Sequence, residues 1–356
     1  MRPEISVILS VYNGEAYLAE AIESVRNQTF QNWELVIVND CSTDGTAAIL
    51  ADFAARDPRI KVHPNEVNLR LPTSLNKAID LSEGKYIARM DADDICLPDR
   101  LQKQYDFMEQ HSDVDLSSCH FLTLKNGVYA CGGVGGRCDH AALKAMLLVS
   151  NPILHPGVIA KAEVMKQLHY DTTRTCTEDL ELWTRMAMQG YTLRIQPECL
   201  MIYRLHDKQI TSTTLARQHT EVLDIQRTYY GALLQEMDEA MQEFYISGVY
   251  FREQPHLPSF LAYAKWLKAV TATHFDKNAV RYALFEILAE YKRRGIPTTQ
   301  ILKAMLSFGP VFAAAEMWRR KRTAKADVAL CLRVADRLGL TQTGGTNAFP
   351  ILEKRQ

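Results

Sequence analysis

The chain has 356 residues, 47% of them hydrophobic and 23% charged, with a net charge of about −1. That length holds two domains, or one large domain with an appendage, and the composition supplies a sizeable core. The near-neutral balance excludes a global attraction to nucleic acid, so any basic surface must be local.

Residues 5–11 (ISVILSV) are β-branched and nearly all apolar, as in a parallel strand covered on both faces. A helix is expected at about 15–27, on the stripe Tyr17, Leu18, Ala21, Ile22 and Val25. Residues 34–38 (ELVIV) read as a second buried strand, and a helix at about 44–55 is opened by Ser42-Thr43-Asp44. A short strand at 60–63 precedes a helix marked by Leu75, Ala78, Ile79 and Leu81 and closed by Gly84, and residues 85–90 (KYIARM) form a fourth strand. The alternation predicts an open, doubly wound α/β sheet.

Pro98 opens a helix at about 98–111, and residues 113–138 hold strands and a Gly-rich stretch, 132–136, expected to be a mobile loop. No Gly-Lys-Ser/Thr follows that stretch, so it is not a P-loop. A helix at about 140–149 leads to Asn151-Pro152 and a strand near 157–160. Thr177 is expected to cap a helix over 178–189 that ends at Gly190, with 192–205 extended again. Beyond a boundary near 212 helical periodicity dominates, with helices near 215–247, 258–272, 277–294, 298–320 and 324–338. The tail from Thr341, with Gly344-Gly345, is expected to be disordered.

Open α/β sheets bind ligands beyond the carboxyl ends of their strands. That rule selects Tyr12-Asn13, Asn39-Asp40 and Asp91-Ala92-Asp93-Asp94. A G-x-G-x-x-G turn after the first strand would mark a dinucleotide enzyme, and Tyr12-Asn13-Gly14-Glu15-Ala16 does not match it. Asp-x-Asp at a strand end suits Mg²⁺ or Mn²⁺, which take carboxylate and phosphate oxygens together and neutralise a departing diphosphate. The plain alternative is a solvated turn with Asp94 capping the next helix. Asp40 can accept from a base N–H or a ribose hydroxyl, whereas an Asx-turn or cap role suits Ser42 or Asp44 better.

A series of segments resembles the inverting family 2 glycosyltransferases of the GT-A fold. They are Ile5 to Asn13, Gln28-Thr29-Phe30, Asn39 to Thr46, Asp91 to Asp94, Asn151-Pro152-Ile153-Leu154-His155-Pro156, Thr177-Glu178-Asp179 before Leu182-Trp183, and Tyr203-Arg204-Leu205-His206. The resemblance runs in consistent order from about 4 to 212, and such a series is far more specific than any one motif. It implies a GT-A type sheet, doubly wound and mostly parallel, in a nucleotide-sugar-binding catalytic domain over 1–212. A helical region over 213–340 and the tail 341–356 follow.

The resemblance also implies roles. Tyr12, Asn13 and Asp40 would lie at the nucleotide, Asp91 and Ala92 at the ribose or base side, and Asp93 would be the principal metal ligand, joined by Asp91 and His206. Asp179 would be the catalytic base, with Glu178 as the fallback. Many relatives carry Asn-x-Gly where this chain has Asn68-Leu69-Arg70, so the glycine that supplies positive φ is missing and Arg70 becomes a candidate phosphate ligand. His155 is a candidate acceptor or phosphate contact, against the ordinary reading of a structural histidine. Trp183 falls on the core face of its helix with Leu180 and Ala187.

The implied function is inverting transfer of a sugar from a nucleotide sugar, by family UDP-linked, to a hydroxyl of a glycan or lipid-linked acceptor, as in bacterial surface polysaccharide synthesis. A non-catalytic nucleotide-sugar-binding scaffold would be expected to lack Asp93 or Asp179. A nucleotidyltransferase would carry a Gly-rich, Arg/Lys-containing loop after the first strand. Eight cysteines without a CxxC pair read as reduced thiols in a cytoplasmic protein. No apolar run reaches membrane-span length. Apolar residues from Leu302 to Trp318 beside Arg319-Arg320-Lys321-Arg322 and Lys325 suit peripheral contact with the cytoplasmic face of the inner membrane.

Overall fold

A computed structural model describes residues 2–132, 138–206, 215–234, 239–250, 253–272, 275–346 and 349–354. The strands are β1 (Ile5–Val11), β2 (Trp33–Asn39), β3 (Ile60–Pro64), β4 (Tyr86–Met90), β5 (Ile95–Cys96), β6 (Leu116–Lys125), β7 (Val128–Gly132), β8 (Ile159–Lys161), β9 (Leu193–Arg204), β10 (Leu340–Thr346) and β11 (Phe349–Lys354). They form one sheet in the order β10-β11-β7-β6-β8-β4-β1-β2-β3, with β9 paired to β6 and β5. Strands β3, β2, β1 and β4 run parallel, and β8 joins β4 antiparallel.

The two faces of β1 feed different cores, because side chains alternate along a strand. Ile8 packs with Val36, Val38 and Ile87, while Val7, Leu9 and Val11 pack with Leu35 and Ile37 on the other side. Helices α1 (Leu18–Arg26), α2 (Thr46–Arg56) and α4 (Arg100–Gln110) cover the second face. Helices α3 (Leu71–Leu81), α5 (His140–Met146), α6 (Ala162–Leu168) and α7 (Glu178–Gln189) cover the first. The chain leaves β1 toward β2 and β3, then crosses back to place β4 on the other side of β1. The carboxyl ends of β1 and β4 therefore flank the switch point where such sheets open a crevice.

The later helices are α8 (Leu215–Leu234), α9 (Glu239–Phe244), a π-helical turn over Tyr245–Tyr250, α10 (Leu257–Val270), α11 (Lys277–Arg293), α12 (Thr298–Leu306) and α13 (Pro310–Arg337). The helix expected over 298–320 breaks where Gly309 takes φ 112° and Pro310 starts the next helix, and the expected gap before 324 is absent. Gly-Pro is a stop and a start in two residues. Phe260, Tyr263, Phe285 and Tyr291 pack this region onto the first core. No helix among the described residues is long and apolar enough to cross a membrane.

The tail is a correction. Residues expected to be disordered from Thr341 instead build the hairpin β10–β11, which pairs antiparallel with β7. Leu340 and Leu352 are buried beside Leu122, Leu124, Tyr129 and Ile202, and that apolar cover is what orders a polar, Gly-containing segment. The expected boundary near 212 and the Gly-rich residues 133–136 lie outside the described residues.

Candidate active site

The loop after β1 is fastened to the loop after β2. The Asn13 Oδ1 accepts from the Thr43 N–H at 2.8 Å, and the Asn13 N–H donates to Ser42 Oγ at 2.9 Å. The Gly14 N–H donates to Thr46 Oγ1 at 2.9 Å. A Cβ on Gly14 would lie 2.5 Å from Val11 Cγ2, so only glycine lets the chain turn here beside Ala92. Asn13 thus shapes the loop, and its amide oxygen faces the protein rather than a nucleotide. Tyr12, one residue past the strand, is 53% exposed and offers an open ring face.

Asp40 is buried, and its Oδ1 accepts from Asn65 Nδ2 and the Leu69 N–H, both at 2.8 Å. It therefore pins the loop before α3 to the end of β2. That loop ends at Arg70, an exposed non-glycine residue with φ 71° and ψ 163°. At the position where Asn-x-Gly is missing, the arginine itself therefore holds a conformation that favours glycine.

The acidic cluster follows β4 as expected. Arg89 on that strand is 3% exposed, and its guanidinium grips Asp91 through both terminal nitrogens at 2.5 Å. A buried guanidinium requires such a partner. Asp93 Oδ2 lies 2.8 Å from His206 Nε2, which joins the loop after β4 to the end of β9. Asp94 does not cap α4. It is buried, and its Oδ1 accepts from the Arg204 N–H at 2.9 Å. Arg204 Nε donates to the Asp93 carbonyl at 2.9 Å, and its guanidinium lies 4.5 Å from the Tyr17 ring centroid. Burial raises the Asp91 carboxyl to about 6 against the pull of Arg89, and Asp93 adds to the rise. Burial, then the charges of Asp91 and Asp93, hold Asp94 well above the usual carboxylate range.

The third element is the start of α7. Asp179 Oδ2 accepts from Asn151 Nδ2 at 2.6 Å, and its Oδ1 from the Leu180 N–H at 2.7 Å. Loss of water raises its pKa against these two hydrogen bonds. Glu178 is buried with Oε2 unpartnered, and burial followed by repulsion from Asp179 raises it to about 8. These groups share one field, because the Asp179 charge raises Asp91 and the Asp91 charge raises Glu178. Thr177 makes no side-chain cap for α7. Its Oγ1 donates to Glu221 of α8 at 2.7 Å.

His155, expected as an acceptor or phosphate contact, sits inside the protein. It is 9% exposed, its Nε2 lies 2.8 Å from the Tyr170 hydroxyl, and its ring meets Trp183 edge-on. Burial, then the Arg89 charge, lowers its pKa well below the usual value, so the imidazole is neutral. Its Nδ1 lies 3.9 Å from Glu178 Oε1, so the histidine backs that carboxyl from inside. Trp183 is fully buried, as its spacing predicts.

Asp91, Asp93 and Asp94 bring carboxylate oxygens within 4.8 Å of one another. Hard oxygen donors of this kind fit Mg²⁺ or Mn²⁺, and Asp94 Oδ2 is a buried acceptor without a hydrogen-bond partner. Sequence reasoning overlooks Arg89 and Tyr170, and singles out Asn151 and Arg204 only within matching segments, without a role. The signal for Arg89 is plain in retrospect, since a charge inside the apolar strand KYIARM must have a partner.

A nucleotide-sugar-transferase type of sheet, with a crevice of carboxylates at its switch point, is the class that fold and site define. Residues 6–126 match the model of "Glycosyl transferase family 2". The O-antigen biosynthesis glycosyltransferase WbnJ of Escherichia coli is 31% identical over 217 residues, which are 60% of this chain and 84% of that protein. Among solved structures, residues 1–349 of S. aureus TarS in complex with UDP-GlcNAc superpose with a TM-score of 0.54 at 17% identity, over 88% of this chain and 92% of that one. The mannosyltransferase PcManGT from Pyrobaculum calidifontis, in complex with GDP-Man and Mn²⁺, gives 0.52 at 17% identity, over 89% and 88%. The chain belongs to glycosyl transferase family 2 and is a glycosyltransferase with a GT-A-like α/β fold.

Proposed function

We propose that the protein transfers a sugar with inversion from a nucleotide-sugar donor to a hydroxyl of a glycan or lipid-linked acceptor in surface polysaccharide synthesis. The observation that carries this is the meeting of two carboxylate groups, Asp91-Asp93-Asp94 after β4 and Asp179 at the start of α7, in one electrostatic neighbourhood. Tyr12 stacks on the base, and Asp40 receives it through the carboxylate oxygen not used by Asn65 and Leu69. Asp91, fixed by Arg89, accepts from the ribose beside Ala92. Asp93, with His206 and support from Asp91, holds Mg²⁺ or Mn²⁺, which when bound neutralises charge on the diphosphate. Arg70 reaches a phosphate.

Inversion needs one displacement, with the acceptor hydroxyl losing its proton as the new bond forms. Asp179 takes that proton. Glu178 stays protonated at neutral pH and buried, so it leaves the negative charge to its neighbour. UDP-sugars are the first donors to test, and the GDP-mannose complex of PcManGT keeps guanosine donors in the same screen. The test is a panel of nucleotide sugars with Mn²⁺, read by thermal stabilisation and by nucleotide release. Asp179→Asn keeps donor-dependent stabilisation while turnover falls roughly 10²–10⁴-fold. Full turnover by that variant removes Asp179 as the base, and silence toward every donor overturns the reading.

A further inference from the structure

We propose that helices α12 and α13 form a membrane-docking surface that takes an anionic lipid bilayer. This goes beyond the transfer reaction and does not depend on it. Large exposed apolar side chains are spread thinly over most of the molecule, yet Leu302, Leu306, Val311, Met317 and Trp318 fall within a few helical turns. Val311 is 82% exposed and Trp318 61%, values that packing against this chain does not produce. Leu302 and Leu306 stand four apart on α12, and Val311 and Trp318 seven apart on α13, so each pair shares a helix face. Exposed Ala314 and Ala315 lie between the second pair, which makes the stripe continuous.

Charge identifies the occupant. From Leu302 to Lys325 there are six Lys or Arg and one acid, Glu316, in a chain whose net charge is about −1. Glu316 is buried and paired with Arg319, so that acid is already neutralised within the protein. Arg322 and Lys325 are exposed and continue the stripe of Val311 and Trp318 one and two turns further on. The Arg322 guanidinium sits 4.6 Å from the Trp318 ring centroid. An indole beside an arginine matches the headgroup boundary, where the ring enters the interface and the cation meets anionic lipid. A protein partner with an acidic rim is the competing occupant. The bilayer is favoured because the apolar side chains lie along helices rather than in a concave pocket, and because α13 is too polar to insert through a membrane.

The same face has a place in the fold. Phe312 lies under Arg281, and Arg319 under Tyr282, so the start of α13 is braced on α11. At its far end Arg337 pairs with Asp99, close after the acidic cluster in the chain. The 20 residues from Trp318 to Arg337 span about 28 Å of continuous helix. Val334 and Ala335 of that end also pack with Leu122, Leu124 and Ile202, so the helix that carries the docking surface ends on the sheet.

The test is co-sedimentation of the full chain with vesicles of phosphatidylcholine alone, or with about a third phosphatidylglycerol, at low and high salt. The expected result is strong binding to the anionic vesicles, weak binding to the neutral ones, and loss in high salt. Arg322→Gln with Lys325→Gln should weaken binding roughly 25-fold, by the usual contribution of basic residues at a bilayer surface. Val311→Ser with Trp318→Ala should abolish it while circular dichroism and donor-dependent stabilisation stay as in the parent, because both side chains face water. Equal binding to neutral and anionic vesicles overturns the proposal, as does unchanged binding by either double variant. Concentration-dependent self-association that the Val311/Trp318 variant dissolves, without vesicle binding by the parent, would assign the face to a second copy of this chain instead.

Discussion

The two halves of the molecule treat polarity in opposite ways. In the sheet domain charge is inside: Arg89, Arg100, Asp40, Asp94 and Glu178 are all buried. In the carboxy-terminal helices the interior is mainly aromatic and aliphatic, the acids Glu221 and Glu316 are buried only beside an arginine each, and Trp318 and Val311 are outside. The sheet holds polar groups at strand ends because the chemistry is there, and each needs a partner. The helices carry packing and a surface. A single substitution should therefore do most harm in the sheet, and in the helices only where a side chain reaches across.

Arg89→Met breaks the comparison at its strongest point. Removing the guanidinium leaves the partly exposed Asp91 without its ion pair, next to Asp93 and Asp94. Breaking a fully buried pair costs about 3–5 kcal/mol, and because Asp91 keeps some solvent, denaturant unfolding should read a loss at the lower end of that range. Adding Asp91→Leu should recover much of it without restoring activity. A single variant as stable as the parent would mean that water enters the crevice freely.

Glu221→Gln tests the seam between the halves. Glu221 on α8 accepts from Thr177 at 2.7 Å and from Arg217 Nε at 2.8 Å. Although burial works to raise its pKa, these hydrogen bonds and that of Cys176 hold it below the usual value. It positions the first turn of α7, and so Asp179, without touching the crevice itself. Weakening a charged hydrogen bond costs about 1.5–3 kcal/mol. The expected signature is a kcat lowered roughly tenfold with donor KM little changed, since only the placement of the base shifts. A change in KM alone would give Glu221 a different role.

How much of this was legible in the sequence follows the same division. The parallel strands were, because Ile5 to Val11 must bury both faces. The acidic loop, Asp40 and Asp179 were, because strand ends and a series of matching segments point to them. Arg89 was hidden by its neighbours, since periodicity scores a strand and not the charge within it. Thr177 looked like a cap because it precedes a helix, but its hydroxyl has a distant partner. The hairpin at the end looked disordered because its strand partner, β7, lies far back in the chain, and local composition carries no trace of that pairing.

Arg70→Gly separates fold from chemistry at a position where the sequence departs from its relatives. The arginine holds φ 71°, so glycine should stabilise the protein by about 1–3 kcal/mol. If the guanidinium reaches a phosphate, the same variant should bind donor more weakly. A gain in stability with weaker donor binding would show that the strain is retained for function. A gain in stability with unchanged binding would return Arg70 to an ordinary surface residue.

The smallest effect is a pH dependence, and its sign is fixed by Glu178. The carboxyl titrates at about 8 in the folded protein against an ordinary 4.5. Between those values the folded state carries a proton that the unfolded state has lost, so stability falls as pH rises. His155 works in the opposite direction, because its pKa is lowered and the unfolded state takes up the extra proton. That contribution is complete above its ordinary value near 6.5, which leaves the window from about 6.5 to 8.5 to Glu178 and to the raised Asp94, which acts in the same direction. Melting measured across that window should fall by a few degrees in the metal-free protein. Glu178→Gln, which cannot ionise, should flatten the slope, and a slope that survives the substitution would transfer it to another group of the cluster.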